Sequence, residues 1–353
     1  MKTAAFKKGL FALALVGAAG SASAVQFYTT GNPANVNKTT SLGVCLAGGG
    51  SDDAWAGGWK FLLNKSGGGD VVVIRADGVR GGYESFIYND DGGHGFPLVD
   101  SVTTIVIESA SDANRTDVET AIRNAELVFF AGGDQWLYIN WFNGSKVESA
   151  VEYLLNTKKA AVGGTSAGMA LLGGIDFTAR YDSPDPDKDL VDSDDVMYDP
   201  TGYFVDLNRT VVNPPFMNNV ITDTHFSERN RFGRIVGFMA RADYNWSDIS
   251  YNTIKAIAAD EGTAACYDGN GVAKVYGSGN VFFLKGNQPI ERIRYDDSLD
   301  WWGSRQAVKA YAIQGSAAGT GSFSLSTWTG SGGSTEYWYV DGEDQAYPFF
   351  GRN

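Results

Sequence analysis

Ala160-Ala161-Val162-Gly163-Gly164-Thr165-Ser166-Ala167-Gly168 reads as a short buried strand entering a sharp turn, and Met169-Ala170-Leu171-Leu172 continues a helix that starts at Ala167. Gly164-x-Ser166-x-Gly168 fits a nucleophile elbow, a strand-to-helix turn that holds a serine hydroxyl clear of the sheet. Small residues on both sides let the backbone make that strained turn and let a substrate come close. A serine hydroxyl is a poor nucleophile until a neighbouring base takes its proton, and histidine is the usual base near neutral pH. The chain holds two histidines, His94 and His225, so the choice of base is narrow.

Outward from the elbow, short apolar runs alternate with helical patterns, the signature of an α/β fold: a mostly parallel sheet with helices on both faces. Strands are predicted at 41–46, 71–74, 103–107 and 127–130, with helices near 54–62, 117–125, 136–141 and 147–155. The first strand runs into Ala47-Gly48-Gly49-Gly50-Ser51-Asp52-Asp53, and the fourth into Ala131-Gly132-Gly133-Asp134-Gln135. From about residue 315 the composition shifts to Gly, Ser, Thr and aromatics, which reads as a small C-terminal β appendage. The expected division is a signal peptide at 1–24, a main α/β domain at 25–294, and a β-rich extension at 295–353 packed on it.

Residues 1–24 carry Lys2, Lys7 and Lys8 ahead of an apolar run, and end in Ala22-Ser23-Ala24, a small-x-small cleavage pattern. That run is too short for a permanent membrane span. A secreted or periplasmic protein cut after Ala24 is therefore expected. The net charge of −13 becomes −16 once those three lysines, and no acids, are removed. Such a charge argues against nucleic acid and anionic membranes as partners, and suits cationic groups. Cys45 and Cys266 are the only cysteines, both in strand-like stretches; sequence leaves open whether they pair or remain buried thiols. Aspartates crowd 182–199, where Asp185-x-Asp187-x-Asp189 begins like a calcium loop, but Leu190 stands where glycine is needed. A solvated acidic loop is the expectation.

Thr222-Asp223-Thr224-His225-Phe226-Ser227-Glu228-Arg229-Asn230-Arg231-Phe232-Gly233-Arg234 is the second rich segment. Three arginines near one histidine favour its neutral form, which a general base needs, and suit fork-like recognition of carboxylates. His94 lies in a turn-rich loop, and its His-Gly pair resembles the oxyanion loop of lipases, although the chain order suits that fold poorly. A carboxylate must orient the base. Asp223 and Glu261, the latter after the strand-like run 254–259, are level candidates. Backbone donors for an oxyanion come from Ala167 and from either Gly132-Gly133 or Gly48 to Gly50.

Taken together, Ala47 to Asp52, Phe130 to Gln135, Gly164 to Gly168, Asp223-Thr224-His225-Phe226-x-x-Arg229-x-Arg231-x-x-Arg234 and Asp260-Glu261-Gly262-Thr263-Ala264 resemble the peptidase family of cyanophycinases and aspartyl dipeptidases. The histidine segment is more similar to the cyanophycinases, and the chain resembles their extracellular form. The resemblance implies a class I glutamine-amidotransferase-like sheet, Ser166 as nucleophile, His225 as base and Glu261 as third member. It implies Gly133 and Ala167 as oxyanion donors, and Gln135, Asp223, Arg229, Arg231 and Arg234 in the substrate pocket. It also implies a serine exopeptidase that cuts cyanophycin, a poly-aspartate backbone bearing arginine on its β-carboxyls, into β-aspartyl-arginine dipeptides. No metal or organic cofactor is expected, and a homodimer is left open. Asp134 departs from the family pattern, where asparagine is common. An aspartyl dipeptidase, an esterase using the His94 loop and a non-catalytic binding protein are the alternatives.

Overall fold

Alternation along each strand builds the first sheet. Val44, Leu46, Val72, Ile74, Val128, Phe130 and Val162 turn to one core, while Cys45, Ala47, Val71, Val73, Leu127 and Phe129 turn to the other. The helix Ala56–Lys65 covers the second of these faces with Trp59, Leu62 and Leu63. Helices Thr116–Asn124, Gln135–Phe142 and Lys146–Tyr153 cover the first. Strands buried on both faces need apolar residues throughout, which is why they appear in sequence as continuous apolar runs. The computed structural model describes residues 25–76, 80–188, 190–209, 211–342 and 348–353. The expected signal peptide lies outside the described residues, as does Asp189.

The fold is α/β, with five parallel strands at the centre of the first sheet. Their order is Ser101–Ile107, Asp70–Ala76, Leu127–Phe130, Ala161–Thr165 and Gly43–Ala47. Antiparallel strands flank them, Gln26–Gly31 on one side and Thr263–Asp268 with Val272–Gly277 on the other. A second sheet of eight strands, not anticipated from the pattern, is antiparallel except around Val220–Asp223, which runs parallel to Lys255–Ala259 and Ile175–Phe177. One face of this sheet joins the core of the first through Ile257, Ala259, Val281, Phe283 and Ile313. The other packs Ala256, Phe282, Leu284 and Val308 against the helix Phe232–Asn245. Residues beyond 295 supply strands to both sheets: Val308–Gln314, Ser334–Asp341 and Phe349–Arg352 extend the second, and Ser322–Ser324 with Thr329–Ser331 extend the first.

The acidic segment is partly built into structure. Asp192 and Asp195 form a capping box at the start of the helix Ser193–Tyr198, and Lys188 Nζ lies 2.6 Å from Asp192. No described helix is long and apolar enough to cross a membrane.

Cys45 and Cys266 stand directly opposite each other on adjacent antiparallel strands and form a disulfide across a sequence separation of 221 residues. A cross-link that closes so long a loop restricts the unfolded chain strongly. Replacing both cysteines by alanine is expected to cost about 2–5 kcal/mol of unfolding free energy in urea titrations. Dithiothreitol should lower the midpoint of the native chain and leave that of the double variant where it is.

Candidate active site

The elbow forms where the buried strand Ala161–Thr165 meets the short helix Ala167–Ala170. Ser166 sits between them at φ 53° and ψ −120°, a conformation rarely adopted by a residue with a side chain. It is held there by close backbone approach. A Cβ on Gly164 would run into the carbonyl of Gly168, and one on Gly168 would run into that of Phe130. The Ser166 N–H donates to the carbonyl of Ala47 at 3.0 Å. The hydroxyl is thereby lifted to the carboxyl edge of the parallel strands, where α/β sheets gather their ligands.

His225 follows the strand Val220–Asp223 and also has a positive φ, 46°. Its N–H donates to the carbonyl of Gly48 at 2.7 Å. Its imidazole Nε2 lies 2.7 Å from Ser166 Oγ, and its Nδ1 lies 2.6 Å from Glu261 Oε1. Glu261 leaves the end of Lys255–Ala259, so serine comes from one sheet while imidazole and carboxylate come from the other. The loops carrying the last two are laced together: Ser227 N–H donates to Asp260 Oδ1 at 3.0 Å, and Glu261 N–H to Glu228 Oε2 at 3.1 Å. Gly49 lies flat against the ring, because a Cβ there would collide with the imidazole. Gly262 N–H in turn donates to the Gly49 carbonyl at 2.7 Å.

Burial lowers the pKa of His225, and the charges of Arg229 and Arg231 act in the same direction against the hydrogen bond to Glu261, which raises it. The neutral form of the ring is therefore favoured. Sequence reasoning credited the arginines with this; desolvation is the larger cause. His94 has other partners: its Nε2 is 2.8 Å from Asp53 Oδ1 and its ring packs on Phe86 and Phe96.

Gly132 passes close to the serine, where a Cβ on it would stand 3.5 Å from Ser166 Cβ, and Gly133 follows it. Ala167 opens the helix beside it. Asp134 accepts from the N–H groups of Trp136 at 2.8 Å and Leu137 at 3.4 Å, so its charge caps the helix Gln135–Phe142. The Gln135 amide donates to the Phe177 carbonyl. Asp223, Arg231 and Arg234, expected to face substrate, are instead buried, at 3%, 6% and 4% exposure. Arg234 grips Asp223 through two hydrogen bonds, 2.9 and 2.6 Å, and also donates to the Val191 carbonyl at 2.8 Å. Arg231 donates to the Thr224 carbonyl at 2.8 Å. Burial alone would raise the Asp223 pKa, but the two guanidinium groups outweigh it and lower it. A charge taken this far from water needs such partners, and they leave these groups committed inward. Arg229, by contrast, is exposed and close enough for its charge to act on His225.

Sequence reasoning missed the packing role of Gly48 to Gly50 and the anchoring of Glu261 by Glu228. The glycine run was visible, but nothing local says what presses against it.

An α/β protein with a serine, a histidine and a glutamate hydrogen-bonded in series at the strand edge is what fold and site define. No family model matches the chain. It is similar to the cyanophycinase of Synechococcus elongatus, 25% identical over 260 residues that cover 70% of each chain. It is also similar to that of Nostoc sp., 24% identical over 207 residues covering 59% of each. Among solved structures, a peptidase from an acI-B1 Actinobacterium aligns with a TM-score of 0.49 at 17% identity, over 70% of this chain and 93% of that one.

Two experiments check this geometry. In an NMR pH titration, His225 should change protonation below the ordinary histidine value of about 6.5. Glu261→Gln should move that midpoint lower still, and Arg229→Ala should move it up. Gly49→Ala should displace the imidazole and abolish labelling of Ser166 by a fluorophosphonate, while the far-UV spectrum stays native.

Proposed function

We propose that this chain is a secreted serine exopeptidase that hydrolyses cyanophycin and releases β-aspartyl-arginine dipeptides. The observation that carries the reading is the continuous chain from Ser166 Oγ through both imidazole nitrogens of His225 to Glu261, at 2.7 and 2.6 Å. The name borne by the similar proteins supports the substrate. A disulfide supports export, since such bonds persist in oxidising compartments. The acidic chain suits a polymer rich in guanidinium groups.

In this mechanism His225 Nε2 accepts the Ser166 proton as Oγ attacks the scissile carbonyl. A neutral imidazole is ready for that proton at ordinary pH. Glu261 fixes the tautomer and stabilises the imidazolium that results. The N–H groups of Gly133 and Ala167 are assigned to the tetrahedral oxyanion, where preorganised donors count most. His225 then returns the proton to the leaving amine, and water hydrolyses the acyl-serine by the same steps in reverse. Arg229 and Gln135 are the groups proposed to meet substrate directly. Asp223, Arg231 and Arg234 are proposed to act as the charged floor that holds the His225 segment in place.

The experiment is a cyanophycin digest with the products identified by mass spectrometry. Ser166→Ala should lower dipeptide release by about 10⁴-fold or more, and Glu261→Gln by about 10²–10⁴-fold. His94→Ala should release dipeptide at the native rate. Dipeptide release by Ser166→Ala at the native rate would remove this serine from the mechanism. Cleavage of free aspartyl dipeptides or nitrophenyl esters in preference to the polymer would reassign the substrate.

A further inference from the structure

Far from the elbow, three lysines stand in one row across the second sheet. Lys255 is paired directly with Lys285, and Lys285 directly with Lys309, on successive antiparallel strands. Directly opposed residues share a face with their Cβ atoms about 4.5–5.5 Å apart, and like charges so placed destabilise a sheet. The chain has 41 acidic residues to set against 28 basic ones. Yet among the described residues no carboxylate forms an ion pair with any of the three. Lys255 is half-buried and feels the charge of Lys285. A row of unneutralised ammonium groups in so acidic a protein calls for an anionic partner.

The surroundings favour a ligand as well. Lys285, Lys309, Tyr311, Phe323 and Trp328 line a cavity of about 200 Å³. Lys255 Nζ lies 4.6 Å from the centre of the Trp328 ring. Trp328 is 8% exposed, and its indole Nε1 has no hydrogen-bond partner. A buried donor left unpaired is costly, and an acceptor delivered by a ligand would relieve it. The row is remote from the chemistry: Lys255 opens the strand whose other end leads to Glu261, about 13 Å away along the strand at Ala259 alone.

We propose that this lysine row is a second, non-catalytic site that holds the carboxylates of the polymer substrate. It rests on the reading above: arginine joined to the β-carboxyls through its α-amino group keeps its own carboxylate free on each branch. The aromatic walls can take the guanidinium heads of the same branches, since arginine stacks readily on aromatic rings. Nucleic acid fits less well, because the net charge of −13 repels a dense polyanion, whereas a polymer whose carboxylates are balanced by guanidinium groups is not repelled.

The test uses the full chain carrying Ser166→Ala, so that retention does not depend on turnover, and cyanophycin coupled to beads. Adding K255Q, K285Q and K309Q together should weaken retention by about tenfold or more. Arginine at the same three positions should preserve it, and melting curves verify that both triple variants fold. Free arginine should elute the protein, and arginine amide, which lacks the carboxylate, should not. Undiminished retention of the glutamine variant, equal elution by arginine amide, or equal elution by a single-stranded oligonucleotide would each overturn the site as described. Lysine-dependent retention, combined with no dipeptide release by the unsubstituted chain, would instead bring down the proposed function alone.

Discussion

One backbone hydrogen bond, from the N–H of His225 to the carbonyl of Gly48, locks the two sheets together at the point where the reactive groups meet. Around it, the carboxyl end of the strand Gly43–Ala47 touches every member of the site. The Ala47 carbonyl receives the N–H of Ser166, Gly49 lies under the imidazole, and a Cβ on Gly50 would stand 2.9 Å from that of Glu261. Each such bond is worth only about 0.5–1.5 kcal/mol net. Their importance is geometric, because they set three side chains from three strands within hydrogen-bond reach. The disulfide anchors this strand within the first sheet, since Cys45 lies in it and Cys266 in the neighbouring strand that begins just after Gly262.

Electrostatics complete the arrangement from beneath. Asp223 precedes the histidine by two residues and is clamped by Arg234 and Arg231 in a site almost free of water. The net worth of a buried ion cluster is small, but removing one member leaves an uncompensated charge, so the segment has few alternatives to its observed path. That rigidity reaches His225 directly through the chain.

Much of the central layer was legible in the residues themselves. Runs such as 71–74 and 127–130 are apolar on both faces, and the glycines of the elbow announce a turn that side chains would block. With two histidines the base was nearly chosen. The third member was not: Asp223 and Glu261 were level on residue type and position, and only spatial contact separates a carboxylate held by arginines from one held by imidazole. Part of the second sheet escaped because its strands Ile175–Phe177, Leu207–Arg209 and Val220–Asp223 are three or four residues long, too short to show a period. The strands beyond 308 looked like an appendage for a related reason. Their partners lie elsewhere in the chain, and composition carries no information about pairing.

Serine and histidine belong to different sheets, 59 residues apart in the chain, and the carboxylate follows 36 residues later. A chain emerging from synthesis thus carries an ordinary alcohol with no base beside it. Latency is inherent in the topology. The hydrogen-bonded series arises only with the docking of the two layers, so the unfolded polypeptide holds none of it.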